Sequence, residues 1–99
     1  MSFGVVAGEP VSATLRMEID AIMADWAWHI DHDEIDELVE LFTEDARFVP
    51  QAGVELHGRS RIRQRYTTRV GPRTTRHVYS GLRLDMVGPV WVRATSTWV

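Results

Sequence analysis

Apolar residues recur at steps of three and four from Leu15 to Ile30, resume from Ile35 to Phe42, and change to a period of two at Ala46. A stripe of the first kind is one face of a helix. Leu15, Ile19, Ile22, Met23, Trp26, Ala27 and Ile30 therefore predict a helix over residues 13–32, with Ser12 as its N-cap. Ile35, Leu38, Val39 and Phe42 predict a second helix over residues 34–43, capped by Asp33. So short a connection makes the two helices neighbours.

Residues 46–49 read as a strand, ended by Pro50 and a turn at Gln51, Ala52 and Gly53, and residues 54–56 alternate as a return strand. Gly58 precedes a third helix over residues 59–69, with Ile62 and Tyr66 inward and Gly71-Pro72 as its stop. A strand over residues 75–85 follows, with Gly81 as a bulge or a point of close approach. Residues 86–89 form a turn, and residues 90–99 a last strand. Helices followed by mostly antiparallel strands give an α+β class: a curled sheet with three helices packed on its concave side. Gly4, Gly8 and Pro10 break any period in residues 1–12, which read as a tail or short leading segment before a domain over residues 13–99.

A chain of 99 residues makes one domain. It has no cysteine, which excludes disulfides and thiolate metal sites and fits a cytoplasmic setting. The start lacks the basic segment of a secretory signal, and no apolar run approaches the roughly 20 residues that span a bilayer, so no membrane partner is expected. Charge is uneven. Between Glu18 and Asp45 stand eleven acids and no lysine or arginine; between Arg59 and Arg76 stand seven arginines and no acid. The two faces can attract one another, within or between protomers, or the arginines can form an anion or RNA patch. With a net charge of −3 and only Tyr66 as an aromatic among the arginines, no nucleic-acid partner is expected.

Two residues suggest chemistry. Asp31 ends the first helix and His77 heads a strand; a carboxylate and an imidazole together over an apolar cavity make a proton-transfer pair. Plainer readings stand beside this one. Asp31 can satisfy backbone amides of the loop into the second helix, and His77 can be a core or edge histidine. His29, His32 and Asp33 share a helix end, but a metal site there needs a third ligand from elsewhere, so none is expected. Trp26 fits the buried stripe and Trp28 does not; Trp91 and Trp98 have opposite strand parity. Core packing, a subunit interface or an aromatic pocket wall accounts for them.

Three pieces carry a resemblance: Asp31-x4-Asp36-x-Leu38-x2-Leu41-Phe42-Thr43-Glu44-Asp45-Ala46, then Leu56-x-Gly58-Arg59-x2-Ile62, then Arg73-Thr74-Thr75-Arg76-His77. With the order α-α-β-β-α-β-β, they resemble the SnoaL-like branch of the nuclear transport factor 2-like superfamily. That resemblance implies a cone-shaped α+β fold around a deep apolar pocket. Its members include scytalone and bile acid dehydratases, isomerases, cyclases and the small subunit of ring-hydroxylating dioxygenases. By position, Asp31 and His77 fall on the aspartate–histidine pair of the dehydratases; Tyr79 has the same strand parity as His77, so it can supply a hydroxyl donor within the pocket. Trp26, Ala27, Phe48 and Trp98 are the expected substrate-contacting walls. The implied activity is that of a lyase or isomerase without cofactor, acting on a small apolar molecule of polycyclic or terpenoid type. A non-catalytic ligand-binding or assembly subunit is the alternative.

The departures are specific. The hairpin aspartate of ketosteroid isomerases corresponds to about Val49-Pro50, their helix tyrosine to about Trp26, and the Arg/Asp set of epoxide hydrolases is not recognisable. Relatives also continue for two further strands, so the sheet is expected to be short of its last two. A naturally short chain, a truncation, or an edge paired with another chain would each explain this. The open edge makes a homo-oligomer, dimer or trimer, the expected state.

Overall fold

The computed structural model describes residues 10–50, 53–68 and 74–99. Most of the leading segment, Gln51 and Ala52 of the first turn, and the expected end of the third helix with Gly71-Pro72 lie outside the described residues. These residues form three helices and four strands in the order α1 (Ala13–Asp31), α2 (Ile35–Glu40), β1 (Arg47–Phe48), β2 (Leu56–His57), α3 (Arg59–Thr67), β3 (Tyr79–Met86) and β4 (Val92–Trp98). The mixed α+β class is the expected one. Among the described residues the strands pair as two separate antiparallel hairpins, β1 with β2 and β3 with β4. The chain divides into two compact units, Ala24–Arg76 and the flanking segments that include His77–Val99.

Within Ala24–Arg76 the core is small and well closed. Ile30, Leu38, Ile62 and Tyr66 are buried together, and Trp26, Ile35, Leu41, Phe42, Ala46, Phe48 and Leu56 pack against them. Leu38 and Ile62 are 0% exposed, as the inward positions of their stripes require. The Phe48 ring sits edge-on to Phe42 (centroids 6.4 Å apart) and tilted against Tyr66 (6.0 Å), a way for aromatic rings to fill space without stacking face to face.

The junction of α1 and α2 differs from expectation. Asp33 is not an N-cap: its φ is +58°, and the Asp33 and Glu34 amides donate back to the Ile30 and His29 carbonyls (3.4 and 2.8 Å). These two bonds form a Schellman closure of α1, with Asp33 in the left-handed position where glycine is commonest. Glu34 is the N-cap of α2 and makes no side-chain cap bond, because its carboxylate takes the Nδ1 of His29 at 2.8 Å. The α2 helix ends at Glu40, three residues early. The Leu41 and Phe42 amides reach only to the Leu38 and Val39 carbonyls, a tightened last turn.

Gly58 has φ +90° and opens α3 while donating its amide to the Ala46 carbonyl at 2.8 Å, a backbone state that a side chain would strain. Arg59 turns its guanidinium back onto the Phe42 carbonyl, through Nε at 3.0 Å and a second nitrogen. Arg63 pairs with Asp36, so one member of the arginine run meets the acidic segment within the chain.

In the other unit, Ser12 caps α1 as expected, its Oγ accepting the Leu15 amide at 3.1 Å. β3 and β4 run antiparallel from Tyr79↔Trp98 to Met86↔Val92, and Val78 and Val99 extend the ladder with a reciprocal pair of bonds. The register breaks between Ser80 and Arg83, where Gly81 with φ +65° and Leu82 oppose the single residue Ser96. This is a bulge opened by a left-handed glycine, at the predicted residue. The α1 stripe is less buried than its spacing implies: Leu15, Ile19 and Met23 are half-buried, and Ile22 is 49% exposed.

Candidate active site

Asp31 is the last residue of α1 and is half-buried. Its Oδ1 accepts the hydroxyl of Thr75 at 2.8 Å. The position is locally unfavourable, because the last turn of a helix carries the negative end of its dipole. Thr75 lies in the Arg-Thr-Thr-Arg-His segment, yet nothing in the sequence singles it out from Thr74 as the donor. On the same helix, Trp26 packs against the core and Ala27 is half-buried. Phe48, also expected as a wall, is held within the aromatic set of the core.

The histidines near Asp31 have other engagements. His29 pairs with Glu34, and His32 bonds the Trp28 carbonyl through Nδ1 at 2.7 Å while stacking on the Trp28 ring (3.9 Å). Trp28, off the stripe, is 58% exposed. Among the described residues no group of three or more histidine, cysteine or acidic side chains is placed to hold a metal ion.

In the unit that contains β3 and β4, three expected residues come together. His77 is half-buried and stands edge-on to the Trp98 indole (6.5 Å, 65°), and Tyr79 lies tilted against the same indole (4.9 Å, 35°). The register explains the second contact, since Tyr79 and Trp98 are direct cross-strand partners. The sequence reading missed Asp20. The Tyr79 hydroxyl donates to Asp20 Oδ1 at 2.7 Å, with the Asp20 carbonyl at 3.3 Å. The hydrogen bond to Asp20, then desolvation and the charge of that carboxylate, hold the phenol above the ordinary tyrosine range. One turn earlier, Arg16 donates to the Leu82 carbonyl at 3.0 Å, so α1 meets β3 at two polar points.

Amphipathic helices and antiparallel hairpins make this an α+β domain. Residues 11–99 match the SnoaL-like domain family, and the chain belongs to it. No curated protein matches the chain significantly. The fold is similar to the crystal structure of a "Putative Scytalone Dehydratase" from Novosphingobium aromaticivorans DSM 12444, with a TM-score of 0.69 and 25% identity. The match covers 86% of this chain and 58% of that one, so this chain spans little more than half of that protein's length. No helix of the described residues is long and apolar enough to cross a membrane.

Proposed function

We propose that this chain forms a cofactor-independent lyase or isomerase site that moves a proton on a small apolar molecule of polycyclic or terpenoid type. The site lies in the apolar cone that the family fold implies. His77 is the general acid–base, and Asp31 orients the imidazole and favours its charged form. In a dehydration, His77 removes a proton from the carbon beside a carbonyl and returns it to the hydroxyl on the next carbon. Water leaves and a carbon–carbon double bond forms.

One observation carries this reading. A carboxylate at the end of α1, where the helix dipole costs it about 0.3–1 kcal/mol, is held by Thr75, two residues before His77. Departures from local preference concentrate at functional sites. The family membership and the dehydratase name of the similar structure support the same chemistry.

The test is turnover of hydroxylated bicyclic ketones, with 3-hydroxy-1-tetralone as the first probe. Its dehydration product tautomerises to fluorescent 1-naphthol. His77→Ala is expected to lower kcat about 100-fold or more while the unfolding transition stays in place. A wild-type chain inert toward the whole set, or a His77→Ala chain as active as wild type, sinks the proposal.

A second reading, an assembly subunit of the same fold, is favoured by the turn between β3 and β4. There Val87, Val90 and Trp91 are exposed, Trp91 at 69%. In that reading the chain is a homo-oligomer or a partner-bound subunit, and light scattering of wild type against Trp91→Ser reads the difference.

A further inference from the structure

Resting on the acid–base reading above, we propose that Asp20 is a positioning residue that commits the Tyr79 proton, so that Tyr79 accepts a hydrogen bond from a ligand hydroxyl instead of donating one. The site thereby selects alcohols over ketones at this point.

A phenol has one proton to give. In Tyr79 that proton is directed at Asp20, with Oδ1 at 2.7 Å, the short distance of a hydroxyl donating to a carboxylate. What remains toward a ligand is the oxygen lone pair. Donation to a carboxylate makes that lone pair a better acceptor, since hydrogen bonds in a chain polarise one another. A ligand hydroxyl completes the chain from ligand to Tyr79 to Asp20. A ligand carbonyl presents a lone pair to a lone pair.

The geometry does not hang on the phenol alone. Arg16 ties α1 to the Leu82 carbonyl one turn from Asp20. On the other side, the Trp98 indole lies against the Tyr79 ring and meets the His77 ring edge-on. The same indole therefore borders both the phenol ring and the imidazole ring. The sequence suggested Tyr79 as a donor; in this proposal its bond to Asp20, 59 residues away, makes it an acceptor toward the ligand. The raised titration of the phenol agrees with this, since the carboxylate favours the protonated form.

The experiment compares binding of 1-tetralol and 1-tetralone, bicyclic probes that differ in that one group, by calorimetry on the full chain. Wild type is expected to bind the alcohol about tenfold more tightly. Tyr79→Phe and Asp20→Ala each abolish the preference. Asp20 is exposed, so its substitution leaves the fold intact. Ultraviolet titration of the phenol supplies a readout that a merely structural role would not move: Asp20→Asn shifts the Tyr79 transition to lower pH, with Tyr79→Phe separating it from Tyr66. The absence of any preference in wild type, its survival in Asp20→Ala, or an unmoved phenol titration overturns the proposal. Because His77→Ala tests turnover and this comparison tests binding, failure of one is distinguishable from failure of the other.

Discussion

Thr75 donates its hydroxyl to Asp31 across 44 residues of sequence, Oγ1 to Oδ1 at 2.8 Å. The bond fixes one oxygen of a half-buried carboxylate and ties the segment leading to His77 to the end of α1. Thr75→Val keeps the shape and removes the donor. The expected outcome is a fall of about tenfold in kcat/KM on the bicyclic ketone probes, equivalent to about 1.4 kcal/mol, close to the lower end of the range for a hydrogen bond to a charged group. Thr75→Ser restores most of it. An unchanged rate in Thr75→Val shows that the bond serves only the fold.

Asp33 occupies the left-handed position of the Schellman closure at φ +58°. Glycine adopts that state without the clash a Cβ brings, although it loses more backbone freedom on folding. Asp33→Gly is therefore expected to stabilise the chain by about 0.5 kcal/mol, and Asp33→Val to destabilise it by about 1 kcal/mol or more. Denaturant unfolding midpoints at constant slope test both signs. The same closure predicts that Glu34→Gln, which weakens the pair with His29, changes stability by only a few tenths of a kcal/mol.

Local rules carried far here. The Ser12 cap, the limits of α1, the inward pair Ile62 and Tyr66, and the bulge at Gly81 all follow from residue type and period, and the structure places each of them so. The α1–α2 junction was not legible. Asp is a good N-cap and also tolerates the left-handed state, and the choice was made by bonds back to His29 and Ile30 that residue type does not encode. Nor could the partners of polar side chains be read. Strand parity grouped Tyr79 with His77, but its bond to Asp20, Thr75's to Asp31 and the turn of Arg59 onto the Phe42 carbonyl join residues far apart in sequence. Burial along α1 is less than the stripe implies for a related reason, because a stripe says which face is apolar and not how much of it is covered.

That last difference is measurable. Leu38 and Ile22 both belong to apolar stripes, yet Leu38 is 0% exposed and Ile22 is 49% exposed. Leu38→Ala removes buried methyl groups and leaves a cavity, and is expected to cost about 2–5 kcal/mol. Ile22→Ala is expected to cost less than about 1 kcal/mol, the ordinary range for a half-covered surface position. Paired thermal melts settle the comparison. Equal losses would mean that Ile22 is covered in solution, and if a second chain covers it the Ile22→Ala loss would depend on protein concentration.

Stability should fall at both ends of the pH scale through two groups of opposite sign. Partial desolvation pushes the Glu55 carboxyl up, but hydrogen bonds and charge from Arg47 (2.7 Å) and His57 (2.9 Å) together bring it below the usual glutamate range. A depressed folded-state value contributes stability above the unfolded value, about 4.3, and that contribution is lost as pH falls through the folded one. Tyr79 behaves in the opposite sense, because its value is raised, chiefly by the hydrogen bond to Asp20. Its contribution is present below the unfolded value of about 10 and is lost as pH rises through the folded value. Unfolding temperatures measured against pH should therefore show a shallower acid limb in Glu55→Gln and a shallower alkaline limb in Tyr79→Phe. Both groups are solvent-screened, so each effect should shrink in high salt. A Tyr79→Phe chain that keeps the full alkaline loss would show that the phenol is not what Asp20 stabilises.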